Sequence, residues 1–227
     1  MTYERVVERI RALSSEKQRD FTAKLTPTND KIYGARVPDL RALAKEIAAD
    51  AEEFLSAEKH SLEEKMLHGF ILCYRKRGFA EFRQDILSFV SLIDNWAVCD
   101  CVAATCKAVA KNKETFFGDI ETLAADGRPF ARRFAFVLLL DYYAEEEYAS
   151  RIFTLCENTA RGEYYVNMAI AWLLSVCYVK VPAATKAYLS VCSLEEDILK
   201  KTERKILESF RVSEEDKINI RKYGVKH

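Results

Sequence analysis

Glycine and proline are scarce in this chain, at 7 and 4 of its 227 residues. No Gly-rich phosphate loop is present, which removes the common nucleotide-cofactor folds. No run with the two-residue period of a strand stands out. No apolar stretch reaches membrane-spanning length, and the opening Met1-Thr2-Tyr3-Glu4-Arg5 lacks an apolar signal core. A cytoplasmic protein with no membrane partner is therefore expected. The three histidines, His60, His68 and His227, are isolated and support no catalytic dyad. Seven cysteines are present, yet none forms a Cys-x-x-Cys pair, and Cys99-x-Cys101 has no accompanying His or Cys cluster. Packed, reduced thiols are expected, with no metal and no cofactor. Formal net charge is zero, which argues against polyanion binding by sheer charge.

The composition that remains, 49% hydrophobic and 31% charged, is that of a folded globular protein rich in helix formers. Helical spacing recurs from end to end. Val6, Val7, Ile10 and Leu13 make one stripe, and Pro38 opens a segment carrying Leu40, Leu43 and Ile47. Ser61-Leu62-Glu63-Glu64 and Ser193-Leu194-Glu195-Glu196 read as capping boxes, and Asp94 as the cap of the helix carrying Trp96. Gly127-Arg128-Pro129, Arg161-Gly162 and Val181-Pro182 punctuate the second half. About a dozen helices of roughly 10–18 residues follow. Helix pairs recurring every 35–40 residues or so suggest HEAT-type repeats. The expected fold is all-α, a curved solenoid of stacked antiparallel helix pairs forming one domain over residues 1–227, with a helical bundle as the alternative.

Four residues break the apolar pattern of the helix centres. Trp96 and Asp100 stand at i and i+4, one turn apart on one helix face. Arg133, beside Arg132, lies in Phe130-Ala131-Arg132-Arg133-Phe134, and Trp172, the second of only two tryptophans, ends Ala169-Ile170-Ala171-Trp172. Charges seldom lie in such surroundings unless paired or functional. A carboxylate beside an aromatic plane can hold a cation or a developing positive charge. Two readings stay open on the residues alone. Asp100 and Arg133 are a buried ion pair and the tryptophans core packing, or the four line one functional surface. Basic clusters at Arg128, Arg132 and Arg133 and at Lys200, Lys201, Arg204 and Lys205, with Arg221, Lys222 and Lys226, are solvated helix faces or parts of a phosphate-binding groove.

From about Ile32 to Arg221 the chain resembles the HEAT-like DNA alkylation repair glycosylases, the AlkD family. The marks are Tyr33-Gly34-Ala35-Arg36-Val37-Pro38, the Trp96-x-x-x-Asp100 helix, Arg133 before Phe134-Ala135-Phe136-Val137-Leu138, and Ala169-Ile170-Ala171-Trp172. The resemblance implies that Asp100 is the catalytic aspartate, Trp96 and Trp172 the sugar-contacting tryptophans, and Arg133 a phosphate-binding arginine. Arg132, Arg36, Lys201, Lys205 and Arg211 are further candidates for DNA-backbone contact. The implied activity is excision of cationic N3- or N7-alkylated purines from double-stranded DNA by a monomer, without a deep base pocket. A non-enzymatic DNA binder and a peptide-binding helical scaffold are the competing readings. Asn95 stands where well-studied members place an aromatic, and no tyrosine lies near Leu25, where they carry one on an early helix.

Overall fold

The structure is a computed structural model that describes residues 1–220. Arg221, Lys222, Lys226 and His227 lie outside the described residues. Among the described residues there are fourteen α-helices and no strand, only two isolated bridges, Ser14 to Ala35 and Lys31 to Ser61. Neighbouring helices pack in pairs, the packing mode of a helical-repeat protein. None of these helices is long and apolar enough to cross a membrane.

The chain divides into two compact units. The first is Met1–Asn112. It holds α1 (Tyr3–Ala12), α2 (Glu16–Leu25), α3 (Val37–Ile47), α4 (Glu52–Ser56), α5 (Leu62–Tyr74), α6 (Phe79–Phe89) and α7 (Trp96–Ala103). The second unit begins at Lys113. It holds α8 (Lys113–Ala124), α9 (Pro129–Tyr142), α10 (Ala149–Asn158), α11 (Tyr164–Lys180), α12 (Pro182–Leu189), α13 (Glu196–Leu207) and α14 (Glu214–Ile220). Alternate helices start at residues 62, 96, 129, 164 and 196, steps of 34, 33, 35 and 32. That period is slightly shorter than the sequence suggested.

Local chemistry explains the helix starts. Pro38, Pro129 and Pro182 sit in the first turns of α3, α9 and α12, where a missing N–H costs nothing. Thr2, Ser15, Ser61 and Asn95 accept hydrogen bonds from the first-turn N–H groups of α1, α2, α5 and α7. Three sequence expectations change here. Asn95 caps α7, its Oδ1 3.0 Å from Val98 N, because Asp94 is taken by Lys65 at 2.6 Å. Ser193 caps nothing: α13 starts at Glu196, and Ser193 instead donates to Glu157. Leu13 is 40% exposed, since α1 ends one residue before it.

In the first unit α5 is the central element, packed by α3 on one flank and α7 on another. Leu40, Phe54, Leu67, Phe70, Ile86, Val98 and Val102 are fully buried there. Gly69 permits the close approach of α7. A methyl group at its Cα would lie 2.7 Å from Val102 Cγ1 and 2.9 Å from Phe89 Cζ. In the second unit α11 is wedged between α9 and α13, with α8 behind α9. Phe116, Phe134, Phe136, Ile170, Leu173 and Leu174 fill that core. No disulfide joins the described cysteines, and Cys99, Cys106, Cys156 and Cys177 are buried.

Candidate functional site

Trp96 opens α7 and Asp100 follows one turn later. Ala97, Val98, Cys99, Val102 and Ala103 are buried, whereas Trp96 and Asp100 are half-buried on the remaining face. The i, i+4 reading of that face therefore holds. Trp96 is tied down from outside the helix: its Nε1–H donates to the Leu25 carbonyl at the end of α2, 3.3 Å away. The helix α2 has no buried residue of its own, and Phe21 and Leu25 are exposed on it. Its start is held by Gly34, whose φ of +94° only glycine adopts readily and where a Cβ would come 2.5 Å from Arg19 N.

Two neighbours of this face escaped the sequence reading. Arg41 of α3 reaches across to α7, its Nη2–H donating to the Cys101 carbonyl at 3.2 Å while its guanidinium lies 5.1 Å from the Phe70 ring centre. Burial pushes the Cys101 thiol up to about 11, with Arg41 pulling it down and Asp100 pushing it further up. Arg41 thus sets a cation in the electrostatic surroundings that Asp100 shares. Its position beside Leu40 in the sequence gives no sign of that reach, since it lies off the apolar stripe.

The second omission is a buried charged cluster at the start of α5. Glu63, Glu64 and Lys65 are all buried. Glu63 accepts the backbone N–H groups of Tyr33 at 3.0 Å, Gly34 at 2.7 Å and Ala35 at 3.4 Å. The Tyr33-Gly34-Ala35 motif is therefore a backbone clamp on a carboxylate. Glu64 accepts the Tyr3 hydroxyl and the His60 N–H, both at 2.9 Å. Lys65 bridges Asp30 and Asp94, each at 2.6 Å. Burial would lower the Lys65 pKa, but its hydrogen bonds to the two aspartates more than offset this and raise it. This triad pins the segment that leads into Trp96.

In the second unit Arg132 and Arg133 are each only 6% exposed. Arg132 Nη1 donates to the Asp126 carbonyl at 2.7 Å. Arg133 Nη1 donates to the Tyr165 carbonyl at 2.8 Å, and its guanidinium lies 5.9 Å from the Tyr165 ring centre. Arg133 thus braces the first turn of α11 from α9. The run Arg128, Arg132, Arg133 is not one surface cluster: Arg128 alone is exposed, paired with Asp126 at 2.7 Å.

Trp172 is 37% exposed on α11. It lines a cleft of about 330 Å³ with Val176, Val179, Lys205, Phe210 and Arg211. Lys201 and Lys205 line a neighbouring cleft of about 480 Å³ with Tyr164 and Met168. Both lysines hold carboxylates of their own helical segment, Lys201 with Asp197 and Lys205 with Glu208 at 3.1 Å. Arg36 stands at the residue before α3, makes no side-chain cap, and pairs with Asp39 at 2.8 Å. Within the first unit Trp96 and Asp100 share one face of α7, and Arg41 reaches the carbonyl of Cys101, the residue after Asp100. Within the second the structure brings together Trp172, Lys205 and Arg211, with Lys201 adjacent. Asp100 and Arg133 are each the fifth residue of their helices in the recurring series, so they share a register position.

Residues 6–206 match the model of a family described as DNA alkylation repair enzyme. No curated protein matches the chain.

Proposed function

The chain belongs to the DNA alkylation repair enzyme family, and we propose that it is a DNA glycosylase that excises N3- and N7-alkylated purines from duplex DNA. The observation that carries this reading is the half-buried Asp100 one turn from Trp96, on the one face of α7 that the core leaves uncovered.

The chemistry suits such a face. Alkylation at N3 of adenine or N7 of guanine leaves the base cationic, so it departs without a proton from a general acid. The C1′–N9 bond breaks, its electron pair neutralises the departing base, and positive charge develops on the sugar, as in glycoside hydrolysis. A fixed carboxylate stabilises that charge and accepts a proton from the water that adds to C1′. The indole face of Trp96, one turn from Asp100, favours the cationic lesion by about 0.5–2 kcal/mol, and Trp172, in the second unit, offers DNA a further aromatic face. Neutral lesions lack the good leaving group and are poor substrates.

Arg133 has two roles in this proposal. It braces the first turn of α11 through the Tyr165 carbonyl and contributes its positive charge to the binding of a backbone phosphate. Arg132, Arg36, Lys201, Lys205 and Arg211 add backbone charge. The reaction as written needs no cofactor, and the protein acts as a cytoplasmic monomer. The test is release of free 7-methylguanine or 3-methyladenine from methylated duplex DNA. Retained DNA binding with no released base would instead assign the chain as a DNA-binding protein on the same scaffold.

A further inference from the structure

The two clefts beside α11 share Lys205 and Glu208, which makes them successive stretches of one groove between α11 and α13. Tyr164, Met168 and Trp172 stand four residues apart along α11 and form one wall, about 12 Å long at the helical rise. Phe210 closes the far end. Tyr164 is 60% exposed and Phe210 wholly exposed, so two aromatic faces besides that of Trp172 stand open to solvent in a single groove. Six cations line it, Lys180, Lys200, Lys201, Arg204, Lys205 and Arg211, against one carboxylate, Glu208.

Exposed aromatics interleaved with cations are costly to leave uncovered and are the pattern of a surface that stacks bases while neutralising phosphates. A perfect duplex cannot use the aromatic faces, because its bases are stacked on one another and present only their edges. We infer that this groove binds an unpaired stretch of DNA strand, of roughly three to four nucleotides at the rise of a stacked strand. Bases lie on Tyr164, Trp172 and Phe210, and phosphates on Lys201, Lys205 and Arg211. The ion pairs within the α13 segment do not oppose this. The partners of Lys200, Lys201 and Lys205 are carboxylates 73%, 57% and 48% exposed, and such pairs exchange readily for phosphate. The choice of DNA rests on the proposed function; the groove and its strand chemistry do not.

The full chain is titrated with a fluorescent oligothymidine and, separately, with a blunt, fully paired duplex, following anisotropy and tryptophan emission. Oligothymidine contains no purine, so excision cannot intrude. The expected result is salt-sensitive binding of oligothymidine with quenching of tryptophan emission. Phe210→Ser and Tyr164→Ser should each weaken it about 5-fold or more and shift duplex affinity less than about 2-fold. Both side chains are largely solvent-exposed, so their removal leaves the core intact. Absence of oligothymidine binding overturns the inference, as does unchanged affinity in both variants or an equal loss on duplex. A self-association that Phe210→Ser abolishes, with no oligothymidine bound, assigns the groove to a second copy instead. Base release from methylated duplex is scored separately, so a failed glycosylase reading and a failed groove give different outcomes.

Discussion

Replacing Trp96 with phenylalanine keeps an aromatic face one turn from Asp100 and deletes the N–H that reaches the Leu25 carbonyl at 3.3 Å. Because α2 buries no residue of its own, this bond is one of its few anchors. Trp96→Phe should therefore raise hydrogen exchange of the α2 amides while costing only about 1 kcal/mol of global stability. Unchanged exchange in α2 would show that the anchor lies elsewhere. Glu63 is the opposite case, a buried carboxylate accepting three backbone N–H groups. Glu63→Gln replaces one acceptor with a donor facing those donors and should cost about 1–3 kcal/mol in urea unfolding. Neither role was legible in the sequence. Glu63 reads there as one letter of a capping box, and Trp96 as half of a functional pair, because both depend on partners about 30 and 70 positions away.

Among the helices, several starts were readable from local residues and the tertiary claims on two of the expected caps were not. Prolines and Ser/Thr/Asn caps act locally, so α1, α3, α5 and α9 begin where their residues say they should, while Val181-Pro182, which closes α11, also opens α12. Asp94 and Ser193 misled because each has the chemistry of a cap but is claimed by a distant partner, Lys65 and Glu157. The placement of α7 on α5 depends on Gly69, a residue with no helical rationale in sequence. Gly69→Ala would gain about 1 kcal/mol of helix propensity, yet the added methyl overlaps Val102 and Phe89, and overpacking of about 1–3 kcal/mol wins. The variant should lose stability and excision together as α7 shifts. Val102→Ala in the Gly69→Ala background should restore part of both. If Gly69→Ala alone is fully stable and active, the close approach is not what positions Asp100.

At the scale of the whole molecule, the all-helical fold was legible from apolar spacing and breakers and the repeat period came out slightly too long, whereas the distribution of charge was not legible. The seemingly basic run at Arg128–Arg133 buries two of its three arginines, and the buried charges at α5 went unnoticed. One half-buried histidine sets a pH response. His68 packs against Phe89, with ring centres 5.4 Å apart, and its Nδ1 is buried without a hydrogen-bond partner. Burial, aided by Lys59, lowers its pKa from 6.5 to about 3. The unfolded chain therefore binds the proton at a higher pH than the folded one. His68 contributes stability above about pH 6.5, and this is lost as pH falls toward about 3. His68→Phe should flatten the fall of unfolding free energy across that window; an unaltered slope would assign the acid response to other groups.

Asp100 decides the proposed chemistry. Duplex DNA carrying 7-methylguanine, incubated with excess protein in single turnover, should release free 7-methylguanine with the wild-type chain. Release should fall by about 100-fold or more with Asp100→Asn, at unchanged affinity for the duplex. Asp100→Asn releasing base at the wild-type rate would contradict the assignment, and a wild-type chain that binds the duplex and releases nothing would contradict the glycosylase itself.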